Sequence, residues 1–221
     1  MTFSRQWDTA YTGKKRATWP WSDLVSYVSR YASPADGFQR VLELGCGAGA
    51  NIPFFIDQNV RYCGIEGSSV IVARLHEAFP DLRKAIVVGD FTVDIPFDGP
   101  FDLVIDRASV SHNDTKAVGN TLDMVFALLR PGGKFIGIDW FSTEQSDAKA
   151  GDEVDAHTRN NIPAGRFAGV GNVHFSDQQH ISEMLAGAGL RLERLEHKKN
   201  IVVIPPDGEQ PAWWNFVAVK P

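Results

Sequence analysis

The chain has 221 residues, a formal net charge of −5 and 43% apolar residues. That size suits one large domain, and the apolar share excludes a disordered or collagen-like chain. The mildly acidic balance argues against a general nucleic-acid binder, which carries a basic surplus. The short basic runs Lys14–Arg16 and His197–Lys199 read as solvated surface. Cys46 and Cys63 are too few for a disulfide framework or a cysteine-rich metal site. The polar N-terminus lacks the apolar core of a signal peptide, and no stretch approaches the ~20 apolar residues of a membrane-spanning helix. The expectation is a cytoplasmic protein.

In chain order, a helix capped by Ser22 or Asp23 is expected to run to about Tyr31, with Pro34 beyond it. Strands are expected at Arg40–Leu44, Arg61–Ile65, Ala85–Val88, Phe101–Ile105 and Lys134–Asp139. Each is almost continuously apolar, as a strand covered on both faces requires. Between them, Ser68–Phe79 and Asn120–Leu129 carry apolar residues at helical steps and stop at Pro80 and at Arg130–Gly133. The link 89–100 is too rich in Pro and Gly for a long helix. Ser176–Gln179 has the form of a capping box and opens a helix to Gly187 or Gly189. Leu190–Ile204 and Trp213–Lys220 read as two strands of a hairpin with a long loop. Alternating βα units imply a parallel sheet with right-handed crossovers, here ending in an antiparallel hairpin. The polar, Gly- and Pro-punctuated stretch 141–175 reads as a lid or as disorder.

The most informative segment is VLELGCGAGA, residues 41–50. A buried strand runs into Gly45, Gly47 and Gly49, which permit positive φ and close approach of a ligand to the backbone. A tight strand–helix turn that binds nothing fits the same letters. So does the dinucleotide fingerprint, Gly45-x-Gly47-x-x-Ala50 with Glu66 at the next strand end. Glu43, just before the turn, would repel a pyrophosphate but suits a ligand with a positively charged amino group.

ELGCGAG resembles the first motif of class I S-adenosylmethionine-dependent methyltransferases. YCGIEGS, VVGDFT, FDLVIDR and LRPGGKFIGID are similar to that family's later motifs, in order and at successive strand ends. The resemblance is strong over 36–140 and general elsewhere. It implies an α/β fold with a Rossmann-like, seven-stranded, mostly parallel sheet, a C-terminal antiparallel hairpin and helices on both faces. One domain would span 1–221, with 1–35 as an N-terminal cap segment and 141–175 as a substrate lid. It also implies S-adenosylmethionine as cofactor, with contacts at Glu43, Gly45, Cys46, Gly47 and Gly49 in the turn. Glu66, with Gly67 and Ser68, would receive the ribose hydroxyls, and Asp90 and Phe91 would meet the adenine. Asp106 and Arg107 face the same crevice, although Asp106 equally fits a loop cap or an ion pair with Arg107. Cys46 reads as a small filler rather than a reactive thiol.

Methyl transfer to a hydroxyl needs a general base, whereas an amine needs little beyond deprotonation. His112, past the fourth strand, is the first candidate and Asp139, beside Trp140, the second; Asp139 also fits a helix or turn cap. His157 and Arg159 would join only if 141–175 folds over the pocket. No compact ligand spacing supports a metal. Asp106–Ser109 stands where many N-methyltransferases of nucleobases and amides carry Asn-Pro-Pro-Tyr, which disfavours a DNA or glutamine substrate. The acceptor expected is a small molecule or saccharide, with no nucleic acid or membrane partner. An NAD(P)-dependent oxidoreductase and a non-catalytic S-adenosylmethionine-binding partner subunit remain the alternatives. Of the six tryptophans, Trp19, Trp21 and Trp140 are expected to wall the pocket and Trp213 and Trp214 to fill core, while Trp7 sits near the N-terminus.

Overall fold

The apolar runs of the sequence become strands lying side by side. The computed structural model describes residues 19–206 and 208–221; Trp7 and the first half of the expected cap segment lie outside them. Strands β1 (Arg40–Leu44), β2 (Arg61–Glu66), β3 (Ile86–Val88), β4 (Phe101–Arg107) and β5 (Leu129–Phe141) are parallel. They belong to a seven-stranded sheet, completed by an antiparallel hairpin of Arg191–Lys199 and Ala212–Val219. Three short strands precede that hairpin in the chain, β6 (Asp152–Asp155), β7 (Thr158–Asn160) and β8 (Val173–His174), so its strands are β9 and β10. The sheet order is β3-β2-β1-β4-β5-β10-β9. This is the Rossmann-like sheet that the motifs imply.

Period-two alternation sorts the strand side chains between two helical layers. Val41, Leu103, Ile105, Ile136 and Ile138 meet helices α1 (Ser22–Tyr31), α2 (Ile52–Asp57) and α3 (Ser69–Ala78). Leu42, Leu44, Val104 and Phe135 meet α4 (Thr115–Leu128) and α5 (Gln178–Gly187). Each fully buried Leu, Ile or Phe contributes roughly 1.5–3 kcal/mol relative to exposure.

Helix ends depart from expectation where a local signal competes with a tertiary one. α4 starts before Asn120 because Asp114 accepts the Ala117 N–H at 2.8 Å. It stops at Leu128 because Leu129 already pairs with Phe101 in the sheet. α5 is capped by Asp177, which accepts the His180 N–H at 2.8 Å, and not by Ser176. The Ser176 backbone is pinned to the sheet instead, donating to the Phe141 carbonyl at 2.9 Å. α1 begins after Trp21 with no side-chain cap. Neither Ser22 nor Asp23 caps it; Asp23 accepts from Lys198 Nζ at 2.6 Å and Asn215 Nδ2 at 3.2 Å across the hairpin.

One residue of β5 breaks the alternation. Asp139 has φ +58°, and the register with β10 slips there, with Trp214 opposite Trp140 but Phe216 opposite Gly137. The extra residue is a β-bulge on β5, held by Asn215 Oδ1, which accepts the Asp139 N–H at 2.9 Å. Beyond the bulge the faces exchange, so Trp140 points away from the layer that Ile136 and Ile138 meet.

The stretch after β5 is ordered. β6, β7 and β8 form a small antiparallel sheet around a core of Phe141, Ile162, Phe167, Val173 and Phe175. Asp155 ties it to the start of α4, accepting the Thr115 N–H at 3.0 Å and its hydroxyl at 2.8 Å.

Candidate active site

β1 lies between β2 and β4, so the glycine turn opens where the sheet's connections reverse direction, the usual ligand crevice of an open α/β sheet. Gly45 and Gly49 adopt φ +61° and +79°. A Cβ on Gly45 would stand 2.3 Å from Ser109 Oγ, and one on Gly49 2.6 Å from Leu75 Cδ2. Both conformation and space therefore require glycine. Gly47, φ +50°, donates its N–H to Glu66 Oε2 at 2.8 Å, and Ser68 N–H meets Oε1 at 3.0 Å. A carboxylate accepts about four hydrogen bonds, and these two donors fix the orientation of Glu66. Gly67 lies between Glu66 and Ser68 in the chain, and Ser68 caps α3 by accepting the Ile71 N–H at 3.3 Å.

On the far side of the turn, Phe91 Cε1 lies 3.5 Å from where a Gly45 Cβ would be. Beside it, Asp90 Oδ1 accepts the Thr92 N–H at 3.1 Å and hydroxyl at 2.6 Å. The structure thus gathers Gly45, Gly47, Glu66, Ser68 and Phe91 around one crevice. Glu43 lies beneath it rather than on its surface. Only 2% exposed, it accepts from Asn51 Nδ2 at 2.7 Å and the Tyr62 hydroxyl at 2.5 Å. Burial pushes its carboxyl up to about 7 despite those two bonds. Cys46 is also buried, which pushes its thiol well up and fits a filler.

Asp106 is fully buried at the end of β4. Its Oδ1 accepts the N–H groups of Ser109 at 3.0 Å and Val110 at 3.1 Å, and its Oδ2 accepts Trp140 Nε1 at 2.7 Å. Burial raises it to about 7 against those donors. Of the roles left open for it, the structure shows the loop cap. Arg107 pairs instead with Asp139, at 2.6 Å, so Asp139 caps neither helix nor turn.

Beyond the ends of β4 and β5 lies a cavity of about 220 Å³ lined by Trp21, Arg107, Asp139, Phe141, Arg166 and Trp213, among others. The Arg107 guanidinium carbon sits 3.6 Å from the Trp21 ring centroid, a cation–π contact. Trp21 N–H donates to Asn51 Oδ1 at 3.2 Å, so Asn51 joins the cavity wall to Glu43 under the turn.

His112 closes a short turn after β4, edge-on to Phe141 at 5.2 Å and outside the cavity lining. Its Nδ1 is 3.3 Å from the Asn172 carbonyl. A carbonyl only accepts, so the proton is on Nδ1 and the lone pair on Nε2. Burial depresses its pKa to about 4 against that bond. His157 and Arg159 do not line the cavity either: His157 stacks on His180 at 3.5 Å and Arg159 pairs with Glu153 at 2.9 Å. Two tryptophan expectations are corrected. Trp140 is core, edge-to-face with Phe135 and Phe216, because the bulge turns it inward. Trp19 is 81% exposed and forms no wall. Trp21 does line the cavity, as expected, while Trp213 does so in place of filling core; Trp214 alone is core.

Sequence reasoning missed Arg166, Trp213, Asn51 and Ser109. Trp213 was within reach of it, because Trp214, Phe216 and Ala218 share one face of β10 and leave Trp213 on the other. Arg166 sits in a loop with no periodic signal.

Among the described residues, no group of three His, Cys, Asp or Glu side chains is placed to hold a metal ion. No helix there is long and apolar enough to cross a membrane.

The family described as methyltransferase domain matches residues 15–195. A search of the curated proteins finds no significant match. Several solved structures share the fold. A S-adenosylmethionine-dependent methyltransferase from Methanosarcina mazei superposes with a TM-score of 0.68 at 14% identity, over 91% of this chain and 98% of that one. The 1,6-didemethyltoxoflavin-N1-methyltransferase of Burkholderia thailandensis, solved with bound 1,6-didemethyltoxoflavin and S-adenosylhomocysteine, gives 0.64 at 18%, over 98% and 84%. An amino pentose methyltransferase from Micromonospora echinaspora gives 0.62 at 19%, over 99% and 98%.

Proposed function

The chain belongs to the methyltransferase domain family and is a S-adenosylmethionine-dependent enzyme, and from that premise we propose that it methylates an oxygen or nitrogen of a small-molecule or saccharide-like acceptor held in the cavity beyond β4 and β5. The observation that carries this reading is the junction at Asn51, which joins the underside of the glycine turn to the Trp21 wall of the cavity. Cofactor crevice and acceptor cavity are thereby held at a fixed spacing.

When bound, the cofactor supplies a methyl group on a positively charged sulfur. Gly45, Gly47 and Gly49 let the backbone approach it, Glu66 accepts its ribose hydroxyls, and Asp90 and Phe91 meet its adenine. Glu43, Cys46, Ser68 and Asp106 support the crevice from below, Gly67 completes its rim, and Arg107 faces the acceptor cavity. Placement of two substrates and exclusion of water are the main contributions of the protein. The segment 141–175 serves as the lid, since Phe141 and Arg166 line the cavity. Of the two candidate bases for a hydroxyl acceptor, Asp139 lines the cavity and also orients Arg107, whereas His112 stands against Phe141 outside that lining, so Asp139 takes the role. A small acceptor is in keeping with the toxoflavin precursor and amino pentose named for the Burkholderia and Micromonospora enzymes.

Calorimetry and a transfer screen test this. S-adenosylhomocysteine is expected to bind and NAD not to, and labelled methyl groups to appear on at least one hydroxyl, amine or carboxyl compound of a small-molecule library. NAD binding without S-adenosylhomocysteine binding would mean an oxidoreductase. Cofactor binding with no product from any acceptor would mean a non-catalytic partner subunit.

A further inference from the structure

The acceptor cavity holds more positive charge than the protein around it neutralises. Arg107 and Arg166 both line it. Asp139 is paired with Arg107, and Asp23, the other acid in the wall, is taken by Lys198 at 2.6 Å. Behind the wall, Asp106 is committed to Ser109, Val110 and Trp140. Among the described residues, no carboxylate lies within ion-pair distance of Arg166.

Two donors of the same wall also lack acceptors. Nε of Arg107 and Nε1 of Trp213 are buried and make no hydrogen bond among the described residues. A buried donor without a partner is costly, and both mark this wall as short of acceptors. Trp21 lies under the Arg107 guanidinium and Asp139 takes one of its nitrogens, so the group is already oriented before a ligand enters. Trp21, Phe141 and Trp213 supply flat apolar walls beside these charges.

We propose that the methyl acceptor carries an oxyanion, a carboxylate or a phosphate, anchored by Arg107 and Arg166, on a planar body lying against Trp21, Phe141 and Trp213. The oxyanion is the anchor, since lone pairs held by guanidinium groups are poor nucleophiles; the methyl group goes to another atom of the same molecule. This deepens the reading of the cavity as the acceptor site and rests on it.

The test uses the full chain saturated with S-adenosylhomocysteine. It is titrated with benzoate, phenyl phosphate and neutral benzamide, following heat and tryptophan fluorescence. At least one anion is expected to bind about tenfold or more tightly than benzamide, and the tighter of the two identifies the oxyanion. Arg166→Gln, at an exposed position, is expected to remove the preference while S-adenosylhomocysteine affinity stays within about twofold. Arg107→Lys, which keeps the charge but loses the planar fork, is expected to weaken it as well. Equal binding of anions and benzamide, no binding of any probe, or a preference that survives Arg166→Gln each overturns the proposal. Failure of S-adenosylhomocysteine to bind would overturn the methyltransferase reading by itself, and the same titrations without it would still decide whether the cavity selects anions.

Discussion

Trp140 donates its indole N–H to Asp106 Oδ2 at 2.7 Å, with both side chains shut away from water. The bond joins the ends of β4 and β5 and completes the set of donors that hold the Asp106 carboxyl. That carboxyl in turn anchors the turn carrying Ser109, whose hydroxyl meets the Gly45 carbonyl at 3.1 Å. A core contact is thus one step from the cofactor crevice.

Trp140→Phe keeps an aromatic ring against Phe135 and Phe216 but removes the donor. Leaving a buried acceptor short of a partner is expected to cost about 1–3 kcal/mol, read as a lower urea midpoint at unchanged m-value. The carboxyl of Asp106 is expected to rise further. Wild-type stability in this variant would deny the bond any structural role.

Glu66→Ala removes the acceptor assigned to two ribose hydroxyls. Hydrogen bonds to a charged group are each worth about 1.5–3 kcal/mol, so affinity for S-adenosylhomocysteine is expected to fall by roughly tenfold or more. Unaltered affinity in calorimetry contradicts the ribose role. Circular dichroism separates this from unfolding, because Glu66 also accepts the N–H groups of Gly47 and Ser68.

His112→Ala is expected to leave cofactor affinity and the methyl-transfer rate within about twofold, because His112 stands outside the cavity lining, whereas Asp139→Asn is expected to lower the rate on a hydroxyl acceptor. An amine acceptor is expected to be affected less. Unchanged turnover of Asp139→Asn with a hydroxyl acceptor removes Asp139 from the chemistry.

Stability against pH offers a further check, because two pairs of buried groups pull in opposite directions. Burial depresses His112 to about 4 and His174 to about 3, so between those values and 6.5 the unfolded chain holds more protons and stability rises with pH. Burial raises Glu43 and Asp106 to about 7, so between roughly 4 and 7 the folded chain holds more protons and stability falls with pH. The slopes oppose, and because burial also lowers His180 and His197, the histidines outweigh the carboxyls and urea midpoints of the wild type are expected to rise modestly from pH 4.5 to 6.5. Glu43→Gln tips the balance further toward the histidines, adding up to about 1.4 kcal/mol per pH unit to that rise. His174→Asn tips it the other way. Parallel pH profiles for both variants would refute the assignment.

The cofactor crevice is readable along the chain because each of its parts is local. A buried strand, three glycines and an acid fit within residues 41–50, and Glu66 and Asp90 stand at later strand ends that apolar runs already mark. The acceptor cavity is not local. Trp21, Arg107, Asp139, Arg166 and Trp213 come from separate segments, and only the meeting of those segments beyond the ends of β4 and β5 brings them together.

The composition and the order of apolar runs by themselves determined a parallel sheet with an antiparallel end and a glycine turn at its centre. Short-range periodicity and steric limits at glycine are enough for that. The tertiary structure decided which tryptophans line the cavity and which charges stand beside them. The reason is the bulge at Asp139: one residue at φ +58° exchanges the faces of β5, sends Trp140 into the core to meet Asp106, and leaves Asp139 beside Arg107. No period in the sequence records that exchange, because it is imposed from the neighbouring strand, where Asn215 accepts the Asp139 N–H.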